Sequence, residues 1–171
     1  NSGIVVEINV DKDIPKYDQF GPLKGLEYQK NLERLAFTSG GRTQSAPAQR
    51  LLDFLNNKKS TSLPKCSYLA GITSSPLYEV LPPFLVKRLQ KAFKQVGKKM
   101  KGYLSNEAVI VATESRTSSP IRIPRNKETY CHIDTEGLYP VGEGAGYAGG
   151  IVSAAMDGSN SMEKIFLVQK N

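Results

Sequence analysis

Five glycines lie within nine residues near the end of the chain, at positions 142, 144, 146, 149 and 150. Without side chains at these positions, a flat or charged group can approach the backbone N–H groups closely. The apolar run that follows, from Ile151 through Ala154 and Ala155, predicts a helix that begins at Gly149 and Gly150. Its free N–H groups and the positive end of its dipole would face the glycine turn, an arrangement that suits a ligand.

The turn matches the G-x-G-x-x-G pattern at Gly144, Gly146 and Gly149. A dinucleotide fingerprint also needs a second strand with an acidic residue at its end, about 20 positions on. Glu163 has that separation, but it precedes the apolar run KIFLV instead of following it. We therefore interpret the segment as a strand-to-helix ligand turn of another kind. A turn used only for packing is the alternative.

Polar side chains near the turn extend the candidate site. The carboxylate of Glu143 is a hydrogen-bond acceptor, which suits sugar or polyol hydroxyls better than phosphate. Tyr147 would either cover a flat ligand or fill a gap. The stretch ESRTSSPIRIPRN, residues 114–126, carries side chains that can donate hydrogen bonds to a ligand. The candidate donors are Arg116, Ser118, Ser119 and Arg122. The alternative is a solvated edge whose arginines pair with surface acids.

The composition is that of a globular protein: 171 residues with 39% hydrophobic and 23% charged residues, and no apolar run long enough to cross a bilayer. The net charge of +7 comes largely from residues 84–101, which hold seven basic residues and no acid. This segment predicts an amphipathic helix with a solvated lysine face. Nucleic-acid binding is the alternative, although no aromatic residues alternate with the lysines, and a structural interaction module is another.

Hydrophobic periodicity predicts the other elements. A strand is expected over 4–10, helices over 25–37, 45–55 and 82–101, a strand covered on both faces over 108–115, and shorter strands within 121–126 and 129–133. Cys66, Cys131 and His132 match no metal, redox or triad spacing, so we expect reduced thiols and a structural histidine in a cytoplasmic protein. The first residues have neither an initiator Met nor a signal core, and we expect a piece of a longer chain.

Several stretches, taken in order, resemble one family of proteins. They are NSGIVVEI, APAQRLLDFL, LPPFL, ESRTSSPIRIPRN and the glycine turn itself. The glycine turn is similar to the C-terminal flavin-binding segment of FAD-dependent oxidoreductases with a two-part FAD domain. The set as a whole resembles a family of FAD-utilising dehydrogenases.

The resemblance implies an α+β or α/β fold with a three-helix insert subdomain and the last strands and helix of a split, Rossmann-like FAD-binding domain. Residues 1–21 would belong to an inserted substrate domain, 22–103 to the helical insert and 104–171 to the FAD-binding domain. FAD would be held largely by a missing N-terminal half of the parent chain, which is the expected partner. NADH or NADPH is the implied co-substrate. The substrate and the catalytic acid or base are not indicated.

The resemblance also assigns residues to the cofactor, and it implies that the donors within residues 114–126 lie near the flavin or the substrate. Gly142 and Glu143 resemble the Gly-Asp pair that meets the ribityl chain, with Glu in place of Asp, so the contact would run through water or reach another hydroxyl. The helix start at Gly149, Gly150 and Ile151 would lie near the isoalloxazine O2, where its dipole stabilises negative charge arriving on the ring. The implied cofactor-binding residues are Gly142, Glu143, Gly144, Gly146, Tyr147, Gly149, Gly150 and Ile151.

Overall fold

The computed structural model of the protein describes residues 2–169, which contain six α-helices and one three-stranded sheet and are therefore of the α+β class. The helices are α1 (Val10–Asp13), α2 (Lys24–Ser39), α3 (Leu51–Leu55), α4 (Leu77–Val80), α5 (Pro83–Lys99) and α6 (Ile151–Gln169). The strands are β1 (Ala46–Arg50), β2 (Ile72–Ser74) and β3 (Val109–Val111). A segment of 3-10 helix, Pro15–Leu23, is kinked at Gly21.

The chain divides into two compact units. The first unit consists of the residues up to 16 together with 28–115, and the second unit consists of 17–27 together with the residues from 116 onward. The sheet belongs to the first unit, where β1 is the central strand in the order β2-β1-β3. It pairs in parallel with β2 and antiparallel with β3.

Apolar side chains from α2, α3 and α5 build the core of the first unit. Tyr28, Leu32 and Ala36 lie one turn apart on α2 and are all buried. Phe54 of α3 is fully buried and meets Phe93 of α5 edge to face, with ring centroids 6.1 Å apart. This geometry is favourable for two aromatic rings and adds to the free energy gained by burying their surfaces.

One polar side chain within that core has its hydrogen bonds satisfied. Gln49 lies in the central strand and is fully buried. Its Oε1 accepts from the backbone N of Leu77 at 2.8 Å, and its Nε2 donates to the carbonyl of Lys58 at 2.7 Å. The amide thereby ties β1 to two neighbouring segments, with both its oxygen and its nitrogen hydrogen-bonded.

The second unit buries little apolar surface. Apart from glycine, its described residues include only two buried apolar residues, Pro140 and Ala145. The helix α6 packs one stripe inward, including Asp157 and the buried Ser161, and leaves apolar side chains exposed on its opposite face. The exposed apolar side chains of α6 are Ile151, Val152, Met156, Met162, Phe166 and Leu167. We call this set the apolar face of α6.

Three predicted helices are confirmed where the apolar spacing is regular. The helix predicted over 25–37 is α2, and it ends at Ser39, just before Gly40 and Gly41, where Gly41 has a φ of 90°. The helix predicted over 82–101 is α5, whose buried residues Leu85 and Phe93 face the core while the lysines are exposed. The helix predicted after the glycine turn is α6, which also contains the apolar run 165–168.

The helix predicted over 45–55, the second helix of the expected three-helix insert, is wrong over its first half. Residues 46–50 form the central strand β1, and only Leu51–Leu55 are helical. Pro47 has no N–H to donate to a neighbouring strand. Its contribution to the sheet is its carbonyl, which accepts from the backbone N of Ala112 at 3.0 Å. Pairing with strands distant in sequence has overridden a helical spacing that was locally convincing.

The strand predicted over 4–10 is also wrong. Residues 2–9 have no regular structure, and Ile4 and Val5 are exposed. From Val10 the chain is helical because the side chain of Asn9 accepts from the backbone N of Asp11 and Lys12, at 3.2 and 3.1 Å. These are the contacts of a helix N-cap, which stabilise the first turn of α1.

The strands predicted after residue 103 are shorter than expected. The strand over 108–115 is reduced to Val109–Val111, an edge strand in which Val111 is exposed, so it is not covered on both faces. The strands expected within 121–126 and 129–133 are replaced by loops joined at one antiparallel bridge, Arg125 to His132. The three sequence segments 1–21, 22–103 and 104–171 stay a prediction. Within residues 2–169 no helix has the length and apolar character that a membrane span requires.

Candidate functional site

The glycine turn closes on itself through backbone hydrogen bonds. The N–H of Gly146 donates to the carbonyl of Glu143 at 2.9 Å, and that of Tyr147 donates to the carbonyl of Gly142 at 3.0 Å. Gly142 and Gly146 have φ values of 74° and 83°, which side-chain-bearing residues rarely adopt. Two of the five glycines are therefore required by the shape of the turn itself.

Gly146 also permits a close approach between two backbone segments. A Cβ at this position would lie 2.6 Å from the carbonyl oxygen of Ile121 and 3.0 Å from the Cα of Arg122. Next to it, the N–H of Ile123 donates to the carbonyl of Ala145 at 3.1 Å. The turn is thereby held against residues 121–123, which contain one of the predicted site residues.

An ion pair fixes the turn to α6. The guanidinium of Arg125 forms two hydrogen bonds with the carboxylate of Asp157, at 2.6 and 3.0 Å, and a third with the carbonyl of Pro140 at 2.7 Å. The same carboxylate accepts from the N–H of Gly142 at 2.9 Å. Both side chains are about one-tenth exposed, at 8% and 11%. Hydrogen bonding from Arg125, and then from Gly142, lowers the pKa of Asp157 below its ordinary value against the opposing effect of burial.

Tyrosine rings surround the same arginine. The Arg125 guanidinium lies 3.7 Å from the ring centroid of Tyr147 and 4.0 Å from that of Tyr130. The guanidinium of Arg122 lies 4.5 Å from the Tyr147 ring, and the Tyr147 hydroxyl donates to the carbonyl of Ile123 at 2.9 Å. These contacts hold Tyr147 in one position beside the turn, with its ring against cations.

The start of α6 combines free and occupied N–H groups. The N–H of Gly150 donates to the hydroxyl of Ser153 at 3.1 Å, and the hydroxyl donates back to the Gly150 carbonyl at 2.9 Å. Within the part of the chain that the structure describes, the N–H groups of Gly149 and Ile151 make no hydrogen bond. Side chains of Ile151 and Val152 next to them are 91% and 71% exposed.

The free N–H groups border open space. A Cβ added at Gly149 or Gly144 would meet no atom within 4 Å, in contrast to Gly146. Two free donors beside exposed apolar side chains can accept a planar ring with a polar edge. The N–H groups of Gly142, Gly146, Tyr147 and Gly150 are already used within the chain. At the start of α6, the donors that a flavin ring could use are therefore the N–H groups of Gly149 and Ile151, and the assignment of the predicted set to a cofactor stays a prediction.

The predicted donor residues fall into two groups. Ser119 lies against the turn, with its hydroxyl 3.2 Å from the carbonyl of Gly144 and 2.8 Å from that of Ile121. Arg122 reaches the turn through Tyr147. Arg116 and Ser118 are exposed. Glu143 is half-buried within the turn itself.

Four residues of this region were not predicted from the sequence: Arg125, Lys127, Tyr130 and Asp157. Two signals point to them in retrospect. Residues 122–130 concentrate arginine, lysine and tyrosine in a loop. Asp157 is the only charged residue between Ile151 and Met162, a stretch otherwise made of apolar and small polar residues. A lone acid on the packed side of such a helix indicates a cationic partner.

The second charged surface lies on α5. Lys87, Lys91, Lys94 and Lys98 line an open groove of about 460 Å³ together with Gln90 and Gln95. Among the described residues none of these four lysines is paired with an acid. We call this surface the lysine face.

Comparisons with known proteins identify a family. A sequence model described as "FAD-dependent protein, C-terminal domain-like" matches residues 1–117, which is more than half of the chain and does not include the glycine turn. A protein of Clostridium beijerinckii, which carries the name "Uncharacterized protein", is 41% identical over 167 residues. The alignment covers 96% of this chain and 30% of that protein, so the chain spans less than a third of the relative's length.

Proposed function

Because this chain belongs to the family of FAD-dependent proteins, as their C-terminal domain-like part, we propose that it forms one side of the flavin site in an oxidoreductase. The proposed enzyme is a dehydrogenase that takes NADH or NADPH as its co-substrate. In this proposal FAD, when bound, supplies two-electron transfer, and the protein binds and tunes it. The single observation that carries the proposal is the pair of free N–H groups at the start of α6.

The role of that helix start is electrostatic. A helix N-terminus favours negative charge next to it, and donors that are already oriented need no reorganisation when the charge arrives. The N–H groups of Gly149 and Ile151 meet this description, since they are free and next to open space. The exposed side chains of Ile151 and Val152 would contact the apolar part of a ring and exclude water from these donors.

The remaining predicted residues would act on the less apolar part of the cofactor. The Glu143 carboxylate is an acceptor suited to the hydroxyls of a ribityl chain, and Gly144 leaves room for it to approach. Gly142, Gly146 and Tyr147 would serve indirectly, because their N–H groups hold the turn in its shape. Rigid support of this kind fixes the contacting residues in place.

The apolar face of α6 supports a partner for this chain. Soluble proteins rarely leave a contiguous apolar patch uncovered unless something binds there. The C. beijerinckii relative is more than three times as long as the segment aligned here. We propose that the remaining, N-terminal portion of such a longer protein covers α6 and supplies the rest of the FAD site.

The test uses the longer protein that carries this segment. We expect the purified protein to be yellow, with the absorbance spectrum of FAD, and to be reducible by NADH or NADPH. A protein that is colourless and cannot be reconstituted with FAD would refute the proposal.

A substitution at the helix start tests the residues. Ile151→Pro removes one free N–H at the first position of α6, where proline is tolerated, and Ile151→Leu keeps it. If this donor stabilises the negative charge on the reduced ring by about 1 kcal/mol, its loss should lower the flavin reduction potential by roughly 20 mV. Equal potentials in the two variants would exclude a role for this N–H.

The lysine face favours a second candidate, a polyanion-binding or interaction module. Four unpaired lysines along one groove would attract nucleic acid through its phosphates, with binding that weakens steeply as salt is added. A gel-shift titration with double-stranded DNA at low salt tests this candidate. The absence of any retardation removes nucleic acid from consideration.

A further inference from the structure

We propose that the second unit contains an oxyanion-binding site for a small molecule that carries a phosphate or carboxylate group. The site is an open cavity of about 350 Å³ lined by Arg122, Arg125, Lys127, Tyr130 and Tyr147. This volume is at the lower end of the range of small-molecule pockets. The inference goes beyond the proposed function because it needs no flavin and is tested without one.

The charge of the lining is the first argument. Three of the five lining residues are cations, and no carboxylate lines the cavity in the described part of the chain. Arg125 is neutralised by its two hydrogen bonds to Asp157. Arg122 and Lys127 have no acidic partner among residues 2–169. Two positive charges are therefore left uncompensated at one cavity, which favours an anion.

The orientation of Arg122 is the second argument. Its guanidinium lies 4.5 Å from the ring centroid of Tyr147, and that ring is held in place by the hydroxyl's bond to Ile123 and by Arg125 on the ring at 3.7 Å. A guanidinium that contacts an aromatic ring still has N–H groups free along the edge of its own plane. A pair of these N–H groups can bond two oxygens of one phosphate or carboxylate. A preoriented arginine loses less conformational freedom when the anion binds.

The loop that carries the other lining residues is itself ordered. The side chain of Asn126 accepts from the N–H groups of Glu128 and Thr129 at 2.7 and 3.0 Å, and the N–H of Tyr130 donates to the Asn126 carbonyl at 3.0 Å. These bonds form a turn that places Lys127 and Tyr130 on the cavity. The cations of the cavity thus come from two adjacent ordered segments, residues 122–125 and 126–130.

Isothermal titration calorimetry of the 171-residue chain at low ionic strength tests the site, with sodium pyrophosphate and sodium citrate as separate probes. Arg122→Gln and Lys127→Gln each remove one charge at the cavity. Lys94→Gln removes the same charge from the lysine face and is the matched control. We expect saturable binding of at least one probe, weakened about tenfold by each cavity substitution and by less than about twofold in the control.

The two probes separate the two sources of the oxyanion. Tighter binding of pyrophosphate supports a phosphorylated ligand, and tighter binding of citrate supports a carboxylate ligand. Equal weakening in all three variants would overturn the site, since it would show that only the net charge matters. Failure of both probes to bind the unaltered chain would overturn it as well. Circular dichroism of each variant checks that it is folded. Because Lys127 is exposed, Lys127→Gln is expected to fold, and it tests the cavity even if Arg122→Gln does not fold.

Discussion

Phe54 in the first unit and Arg125 in the second unit each lie at the centre of their region, but they stabilise it in different ways. Phe54 is fully buried among apolar side chains of α3 and α5. Arg125 instead joins two loops to α6 through Asp157 and the carbonyl of Pro140. The first unit gains its stability from apolar burial, whereas the second depends on a few hydrogen bonds and on glycines that allow close approach.

The difference indicates what each unit requires from its surroundings. Apolar burial is the dominant favourable contribution to folding, and the first unit has a contiguous buried core. The second unit has almost none and exposes the apolar face of α6. A region with that balance would gain stability from a covering segment, which the proposed longer protein would supply.

The largest expected effect is a cavity in the first unit. Phe54→Ala should lower its free energy of unfolding by about 3–5 kcal/mol, because a fully buried ring is lost and the surrounding side chains do not collapse completely. Denaturant unfolding followed by circular dichroism measures the change. Leu69→Ala in the same unit is the control, since Leu69 is fully exposed, and we expect a change within about 0.5 kcal/mol. Similar losses in both variants would contradict a core centred on Phe54.

In the second unit the largest effect should come from the removal of a charge. Asp157→Ala leaves Arg125 without its carboxylate and frees the N–H of Gly142, which we expect to cost about 1.5–3 kcal/mol of local stability. Faster hydrogen exchange in residues 122–147 would report the loss. Glu163→Gln, which alters an exposed acid of the same helix, should leave exchange unchanged. Protection that survives Asp157→Ala would show that the turn does not depend on this ion pair.

The same ion pair predicts how the second unit responds to acid. Because Arg125 lowers the pKa of Asp157 in the folded state, the carboxylate stabilises the fold fully above its unfolded pKa of about 3.9. This stabilisation is lost as the pH falls through the lower folded value. Hydrogen exchange of the turn measures its opening at about pH 6 and pH 3. We expect the free energy of opening to fall more between these two pH values in the unaltered chain than in Asp157→Asn. Identical pH profiles would rule out this titration.

A smaller effect distinguishes the two kinds of glycine in the turn. Gly146→Ala should destabilise the turn by more than about 1 kcal/mol, since its φ is positive and the new Cβ would meet the Ile121 carbonyl. Gly144→Ala is the matched control, because its Cβ would lie in open space. Local hydrogen exchange again measures the difference. Two equally tolerated variants would mean that the close approach at Gly146 relaxes without cost.

The smallest effect is expected from an exposed ion pair of the first unit. Arg88 bonds Asp13 at 2.6 and 2.7 Å, and this bond lowers the pKa of Asp13. Arg88 is 44% exposed, so water and salt weaken the attraction. Arg88→Gln should therefore change stability less than Asp157→Ala does, and the change should vanish at about 1 M salt. A salt-insensitive loss would place this pair in the same class as Arg125 and Asp157.

The sequence predicted what depends on local periodicity. The helices α2 and α5 repeat apolar residues at helical spacing, and α6 follows a run of glycines, so each could be located from its own residues. The strand β1 could not, because Ala48 and Leu51 satisfy a helical spacing and only the distant strands β2 and β3 make residues 46–50 extended. Pairing between residues far apart in sequence leaves little trace in either segment.

The candidate site divides in the same way. The glycine turn and the donors Ser119 and Arg122 could be proposed from residue type alone, and the structure brings these donors to the turn. The ion pair of Arg125 and Asp157 joins residues 32 positions apart, and no local pattern links them. Which N–H groups of the turn are occupied depends on one distant and one local contact, since Asp157 accepts from the N–H of Gly142 and Ser153 accepts from that of Gly150.

The helix α6 presents an apolar face to solvent, and this constrains how its sequence can diverge. Polar replacements at Val152 or Phe166 would cost this chain almost nothing, since both side chains already face solvent. If a covering segment is present, each of the same replacements would bury an unsatisfied group. Variation among natural homologues at these two positions should therefore follow the retention or loss of the rest of the polypeptide, and not the integrity of the glycine turn.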